Sequence, residues 1–250
     1  MEKKITGSLP AITLIIIYFI WLFAAKQFNS ELIMPEPKLV FLDFIALLQS
    51  ERFAQSLINT GMRTGISFLI AFAAALITAF PAAKSEIFKK LFYPVVVLMR
   101  AVPTMSVIIL CLIWLKSSDS PLLIAFLIIY PMLYSAVYES VRGVDKDLIE
   151  MSKVYNVSAY NTVTKFYIPE IARNLYGYVI TIFTFNVKIV ISGEALAQTN
   201  LSLGGAMQAA SFNIDTANVF AYTVAAVLLS YSIELLIRLI KTVTVRIVKR

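Results

Sequence analysis

Residues 150–169 read EMSKVYNVSAYNTVTKFYIP, and this polar stretch decides how the rest of the chain is organised. Long apolar runs lie directly before it and directly after it. A run of about 20 apolar residues is long enough to cross a bilayer as a helix. A polar segment between two such runs lies outside the lipid, so the sequence predicts a surface segment that is available for docking of another protein.

The composition of the whole chain is that of a membrane protein. Of its 250 residues, 59% are hydrophobic and 15% are charged, whereas a soluble domain carries about 25% charged residues. No glycine-rich phosphate-binding loop is present, so a hydrolysed nucleotide would have to be bound by another chain. Histidine is absent and Cys111 is the only cysteine, which excludes an intrachain disulfide and a Cys/His metal site within the chain.

Hydropathy predicts six transmembrane spans in a single domain that covers residues 1–250. The first span follows Lys3 and Lys4, so a signal peptide is the alternative interpretation. We expect a retained span, because the rest of the chain is itself membrane-embedded. The predicted spans are residues 9–25, 57–83, 91–115, 122–138, 175–196 and 217–240.

The distribution of Lys and Arg predicts the orientation of these spans. With both termini in the cytoplasm, the inside segments are the two ends of the chain, residues 84–90 and residues 139–173. These segments hold most of the 22 basic residues, as the positive-inside rule requires. The polar stretch then lies in the cytoplasm. The outside segments hold only Lys26, Lys38, Arg52 and Lys116.

The local sequence around the polar stretch predicts a turn and a short helix. Asp145 suits a helix N-terminus, and Asn156 tolerates a left-handed conformation better than most residues. Ser158 can cap a helix over residues 159–166, and Pro169 is expected to end or bend the chain as it re-enters the membrane. We therefore expect a short surface helix that is held between two turns.

The outside segment 26–56 is also predicted to contain a helix. The prolines in residues 34–37 cannot continue a helix from the first span. Residues 39–48 then form an apolar face, which favours a short interfacial helix over the alternative of a plain loop.

The polar stretch resembles the EAA loop of permease subunits of ATP-binding cassette (ABC) importers. That loop follows the pattern Glu-Ala-Ala-(three residues)-Gly-(nine residues)-Ile-x-Leu-Pro. Asn156 stands in the place of the Gly, which is the most consequential departure, although Asn can preserve a turn there. The remaining matches are Glu150 for the Glu, Met151-Ser152 for Ala-Ala, Phe166 for the Ile, Ile168 for the Leu and Pro169 for the Pro.

The resemblance extends over about residues 35–250 and is nearest to permeases of nitrate, sulfonate, taurine and thiamine-pyrimidine importers. One departure is Ile113-Trp114-Leu115, where the family usually has Trp-Phe-Gly. With only eight glycines, close helix contacts must use Ala or Ser. The residues that carry this wider resemblance are Thr60, Arg63, Ser67-Phe68, Pro94, Met99-Arg100, Pro103, Gly193-Glu194 and Leu203-Gly204-Gly205.

The resemblance implies an all-α, type I importer permease with about six spans and a cytoplasmic coupling loop over about residues 145–170. It further implies a homodimer in a bacterial cytoplasmic membrane, two ATPase subunits that use ATP and Mg, and an extracytoplasmic substrate-binding protein. This chain is then neither an enzyme nor a nucleic-acid-binding protein, and it binds no cofactor itself. The polar segment 197–216 is either a contact site for the binding protein or a passive loop. The implied ATPase-coupling residues are Glu150, Met151, Ser152, Tyr155, Asn156, Val157 and Pro169.

Charged residues inside the predicted spans are candidates for the translocation pathway. Arg100, Lys188 and Glu194 are costly if they face lipid. The two cations suit an anionic substrate, or Lys188 pairs structurally with Glu194. Arg63 is expected to reach the outer boundary by snorkelling. We expect a small organic anion or heterocycle as the substrate.

Two other classes of protein compete with this interpretation. An ATP-independent secondary transporter or channel remains the alternative, although the inverted repeat common in such folds is not apparent. An intramembrane enzyme would need paired catalytic groups at depth, and the sequence contains no such constellation.

Overall fold

The computed structural model describes the backbone of residues 2–248 and the side chains of residues 12–145 and 147–239. Every regular element in that part of the chain is helical, so the predicted all-α fold is confirmed. The ends of the chain, on which the predicted cytoplasmic termini depend, lie outside the residues whose side chains are described. The helices are α1 (Glu2–Phe28), α2 (Pro37–Leu48), α3 (Glu51–Lys84), α4 (Glu86–Ala101), α5 (Thr104–Trp114), α6 (Ser120–Arg142), α7 (Lys146–Val154), α8 (Ala159–Thr162), α9 (Ile168–Leu196), α10 (Leu203–Phe212) and α11 (Thr216–Val248), with a π-helical turn (Val163–Tyr167) between α8 and α9.

Four helices in the described part of the chain are long and apolar enough to cross a membrane. They are α3, α6, the continuous helix α8–α9 (Ala159–Leu196) and α11 over Thr216–Leu239. They contain the predicted second, fourth and fifth spans and all but the last residue of the predicted sixth. The described apolar part of α1, Ile12–Phe28, is shorter than a full span. The structure thus supports four spans, or five if the bent pair α4–α5 is one span, and the total of six stays a prediction.

The third predicted span, residues 91–115, is not one continuous helix but is broken into α4 and α5. Helices α4 and α5 meet at an angle of 94°. Val102 between them is extended, with φ −69° and ψ 127°, because Pro103 disfavours a helical conformation in the residue before it. Since the 11 residues of α5 extend only about 16 Å, α5 alone cannot cross the hydrocarbon core.

The core of the bundle lies where α3 and α9 pack on α6. Ala71, Ala75 and Ala79 recur every four residues along one face of α3 and are fully buried. They belong to the same hydrophobic cluster as Leu133 and Val137 of α6, which are also fully buried. Small side chains allow two helix backbones to approach closely. Alanine therefore provides the close helix contacts, as the low glycine content predicted.

Helix α2 confirms that the segment before α3 contains a short helix, and the alternative of a plain loop was wrong. It begins at Pro37, whose missing N–H is not needed in the first helical turn. One face, with Phe44 and Leu47, packs beside α11 and α3. The opposite face leaves Phe41 63% and Leu48 56% exposed, as expected for a helix whose outer face meets lipid.

The polar segment 197–216 contains helix α10, which packs against both α9 and α11. We call this the α10 end of the bundle. The opposite end, where α7 and α8 lie, is the α7 end.

Candidate functional site

A buried cluster of polar groups joins α3, α9 and α10 at the α10 end. Its centre is the carboxylate of Glu194, which is fully buried. Arg63 Nη1 donates to Glu194 Oε1 at 3.0 Å, and Thr60 Oγ1 lies 3.0 Å and 2.8 Å from the two carboxylate oxygens. The main-chain N–H of Gly204 donates to Oε2 at 3.2 Å. We call these residues the Glu194 cluster.

The local sequence explains why these groups meet. Thr60 and Arg63 are three residues apart on α3, so they project from the same face. In the first turn of α10, the main-chain N–H of Gly204 points at the carboxylate, and a helix N-terminus favours negative charge. The N–H of Leu203 donates to Thr60 Oγ1 at 3.0 Å. The same threonine hydroxyl therefore binds both α9 and α10 to α3.

Close packing of α10 on α9 depends on a glycine. A Cβ on Gly204 would lie 2.1 Å from the carbonyl oxygen of Ile191 and 2.7 Å from the main-chain N of Ala195. Any other residue would therefore push α10 away from α9. The glycine at this position places its own N–H within reach of Glu194.

A second buried polar contact lies further along the α3–α9 interface. Asn186 is fully buried, and its Nδ2 donates to the carbonyl of Thr64 at 2.9 Å and to Ser67 Oγ at 3.0 Å. Its Oδ1 has no hydrogen-bond partner among the residues that the structure describes. The two helices are therefore joined by two polar contacts, about two helical turns apart on α9.

The structure places the predicted pathway residues in three different environments. Glu194 is buried and its partner is Arg63, so the expected Lys188–Glu194 pair does not form within the chain. Six residues along an α-helix turn through about 600°, which puts these two side chains on different sides of α9. The expectation that Arg63 merely snorkels was also wrong. Lys188 and Arg100 are exposed, and Arg100 Nη2 donates to the carbonyl of Pro131 at 3.1 Å.

A polar cavity of about 820 Å³ adjoins the Glu194 cluster at the α10 end. Its lining includes Arg52, Gln198, Asn200, Gln208 and Asp215. Arg52 is the only cation among the residues that line it, and it forms no ion pair within the described side chains. The cavity therefore presents one positive charge, from Arg52, and one negative charge, from Asp215, together with amide donors and acceptors.

The turns on both sides of α10 have unusual backbone conformations. Gln198, Leu201 and Ile214 have φ values of 50°, 46° and 58°. Left-handed conformations are unfavourable for residues other than Gly, Asn and Asp, and most of all for a β-branched residue. Such outliers are commonly found at ligand clamps and switch regions. The position of α10 is thus held by two strained turns.

At the α7 end, the turn that was predicted at Asn156 is confirmed. Asn156 has φ 50° and follows α7 immediately after its C-cap. Its N–H donates to the carbonyl of Lys153 at 3.0 Å, and the N–H of Val157 donates to the carbonyl of Ser152 at 2.9 Å. This pair of bonds is the Schellman motif, in which Gly or Asn takes the left-handed position. The asparagine therefore preserves the turn that glycine provides in the EAA loop.

Two helix caps in this region were also predicted correctly. The Asp145 side chain accepts from the N–H of Asp147 at 2.9 Å and caps α7. The Ser158 side chain accepts from the N–H of Asn161 at 3.4 Å and caps α8.

The short helix between two turns was assigned to the wrong residues. It is α7, residues Lys146–Val154, and not residues 159–166. The chain does not end or turn at Pro169, because α8, the π-helical turn and α9 form one continuous helix. The N–H of Ile168 donates to the carbonyl of Val163, five residues earlier. The wider turn accommodates the proline ring, which would otherwise clash with the carbonyl of Lys165.

The predicted coupling residues divide into an exposed group and a buried one. Met151 is 45% and Tyr155 75% exposed. Ser152 is buried; its Oγ donates to the carbonyl of Ile149 at 2.7 Å and lies 3.4 Å from Thr162 Oγ1, so it ties α7 to α8. Val157 is partly buried, and the exposed group also contains Glu150, Asn156 and Pro169.

Sequence reasoning missed that Thr60, Arg63 and Gly204 serve one buried carboxylate. The available signal was that Glu194 is an acidic residue in an apolar run, while Thr60 and Arg63 share a face of another apolar run. Among the described residues, no group of three or more His, Cys, Asp or Glu side chains is arranged to hold a metal ion.

The apolar helices, the buried polar cluster and the exposed surface helix define a multi-pass α-helical membrane protein. The profile of the family described as "Binding-protein-dependent transport system inner membrane component" matches residues 71–249. The chain therefore belongs to this family and is a permease subunit of an ABC transporter, which is not itself an enzyme, located in the inner membrane. No curated protein matches the chain.

Proposed function

We propose that this chain forms the translocation pathway of an ABC importer and couples it to partner ATPases through α7. The exposed α7 helix and its Schellman turn carry this proposal, because they present Glu150, Met151, Tyr155 and Asn156 at the surface. A short helix fixed at both ends can receive a partner and transmit its movement without unfolding. The partner ATPases, and not this chain, would bind ATP and Mg.

The proposed working unit is a homodimer with two ATPase subunits and an extracytoplasmic binding protein. In it the α7 end and both chain termini face the cytoplasm, and the α10 end faces outward, as the distribution of Lys and Arg favours. ATP-driven closure of the ATPases would displace α7 and α8. Because α8 and α9 are one helix, that displacement reaches the Glu194 cluster and the turns that hold α10.

The proposed substrate is a small organic anion or an anionic heterocycle. The polar cavity supports this class, because Arg52 is accompanied by the side-chain amides of Gln198, Asn200 and Gln208. The one carboxylate of the lining, Asp215, accepts hydrogen bonds from Asn218 through both of its oxygens. The exposed side chain of Lys188 also supports an anionic substrate. An exposed ammonium on an apolar helix avoids lipid only if it faces a water-filled pathway, a ligand or a second copy.

The test is reconstitution of the permease with its ATPase and binding protein in proteoliposomes. ATP inside the vesicles should drive uptake from the outside, with ion gradients collapsed. Glu150→Ala and Asn156→Pro should lower ATPase association or uncouple hydrolysis from uptake, whereas Asn156→Gly should retain both. Uptake that follows an ion gradient without ATP would reject the proposal in favour of a secondary transporter.

A further inference from the structure

The α7 end contains a second cavity, of about 290 Å³, whose rim is mainly cationic. Lys84 from the end of α3, Arg142 from the end of α6 and Lys153 from α7 line it, together with the carboxylate of Glu150. Three cations face one anion, so the rim carries a net positive charge of two. We call this the cationic cavity.

The charges of the rim are not neutralised by ion pairs within the described side chains. Lys84 Nζ instead lies 4.2 Å from the centroid of the Tyr167 ring, a contact that positions an ammonium without cancelling its charge. Arg142 Nη1 donates to the Tyr138 hydroxyl at 2.8 Å. Aromatic side chains on α6 and in the π-helical turn thus hold two of the cations in place.

The floor of the cationic cavity is apolar. Ala83, Val141, Val144 and Ile149 line it, and Val141 and Val144 are buried. A free inorganic anion gains nothing from such a floor. An amphiphile gains from both parts, since its anionic group meets the rim and its apolar carbons cover the floor.

The surface around the cationic cavity is that of a protein meeting lipid. Ile87 and Leu91, on the turns that follow Lys84, are 81% and 64% exposed. Ile168, which follows Tyr167, is 55% exposed. Exposed apolar side chains directly beside cations mark the level where acyl chains end and headgroups begin.

We propose that the cationic cavity binds the phosphate-bearing headgroup of an anionic phospholipid. The phosphate contacts Lys84, Arg142 and Lys153, and the glycerol end of the lipid covers the apolar floor. Basic pockets between transmembrane helices bind such headgroups at a cytoplasmic membrane surface. The site goes beyond the proposed transport function, and the bound lipid lies beside Glu150 on α7, where its charge would act on the docking surface.

The test measures lipid binding to the full-length permease by native mass spectrometry, independently of transport. The probes are phosphatidylglycerol and phosphatidylcholine with the same acyl chains. A preference for phosphatidylglycerol is expected, and Arg142→Gln with Lys153→Gln should weaken its binding about 25-fold, at about fivefold for each cation. The matched control is Lys89→Gln with Lys90→Gln, which removes the same charge at the same end of the bundle but outside the cavity lining. This control should keep the preference.

Two further variants keep the test decisive. Glu150→Gln removes the only anion of the rim and should strengthen phosphatidylglycerol binding about fivefold. If the double variant does not elute as a folded protein in size-exclusion chromatography, Lys84→Gln alone should weaken binding about fivefold. The proposal would be overturned if Arg142→Gln with Lys153→Gln and the control Lys89→Gln with Lys90→Gln lost phosphatidylglycerol binding equally. It would also be overturned if the unmodified permease bound the two lipids equally.

A last experiment distinguishes binding of a lipid headgroup from binding of a free anion. Inorganic phosphate is added to the permease in nanodiscs that contain phosphatidylcholine alone, and the melting temperature is recorded. No stabilisation is expected. Stabilisation that disappears in the Arg142→Gln, Lys153→Gln variant would assign the cavity to a free phosphate group instead of a lipid.

Discussion

Replacing Arg63 by methionine should destabilise the protein more than replacing any exposed cation of the spans. Glu194 is fully buried, whereas the Arg63 side chain is 17% exposed. The substitution removes the cation of the Glu194 cluster and leaves a carboxylate with neutral donors only, from Thr60 and Gly204. An uncompensated charge in a low-dielectric interior is strongly unfavourable.

The expected size of the effect follows from the burial of the pair. Removing one partner of a buried ion pair costs about 3–5 kcal/mol. Two neutral hydrogen bonds to Glu194 remain, so we expect the lower value, about 3 kcal/mol. Adding Glu194→Gln removes the charge while keeping an acceptor for Thr60 and Gly204, so the double variant should lie within about 1 kcal/mol of the unmodified protein.

A double-mutant cycle of unfolding free energies measures this directly. Equilibrium unfolding in detergent micelles is followed by circular dichroism for the two single variants and the double variant. We expect a coupling energy above about 2 kcal/mol. Lys188→Met, on the same helix as Glu194, is the matched control and should change stability by less than about 0.5 kcal/mol. A coupling energy below about 0.5 kcal/mol, or equal losses for Arg63→Met and Lys188→Met, would refute the reasoning.

Three other predictions concern the turns, the packing and the orientation. Asn156→Val should lower the unfolding free energy by about 1–2 kcal/mol, because a β-branched residue resists the left-handed conformation, while Asn156→Gly should not; equal stabilities would contradict the role of the turn. Gly204→Ala should lower the free energy of unfolding by about 1–3 kcal/mol, because the added methyl group overpacks the contact between α10 and α9. Gly61→Ala is the control and should not destabilise the protein, since an added Cβ there meets no atom within 4 Å. An unchanged free energy of unfolding for Gly204→Ala would show that α10 packs differently. In a Cys111→Ala background, a cysteine at position 155 should resist an impermeant thiol reagent outside intact cells, and labelling there would reverse the proposed orientation.

Features that depend only on residues close together in the sequence were predictable. The Asn156 turn and the Asp145 cap follow from each residue's own backbone preference and hydrogen-bonding groups. The break before Pro103 follows the same kind of local rule, but hydropathy alone carried the predicted span across it. Composition shows how many apolar residues the span contains, whereas the bend depends on the backbone geometry at Pro103.

The Glu194 cluster could not be predicted in the same way, because its members come from three helices. The choice between Arg63 and Lys188 as the partner of Glu194 depends on the antiparallel register of α3 and α9. That register is set by how alanines such as Ala75 fit against α6, and by where Gly204 allows α10 to approach α9. No window of sequence around Glu194 contains this information.

The π-helical turn before Pro169 sets the rotational phase between the two ends of one continuous helix. Successive residues of an α-helix are about 100° apart around its axis, and a π-helical turn takes up one extra residue. If Val163–Tyr167 wound as a regular α-helix without losing that residue, the side chains of α8 would rotate by about 100° relative to those of α9. The side chain of Thr162 would then no longer face Ser152 of α7, although no residue of α7, α8 or α9 had changed. The angular setting of the whole α7–α8 surface relative to the Glu194 cluster therefore depends on a single widened turn.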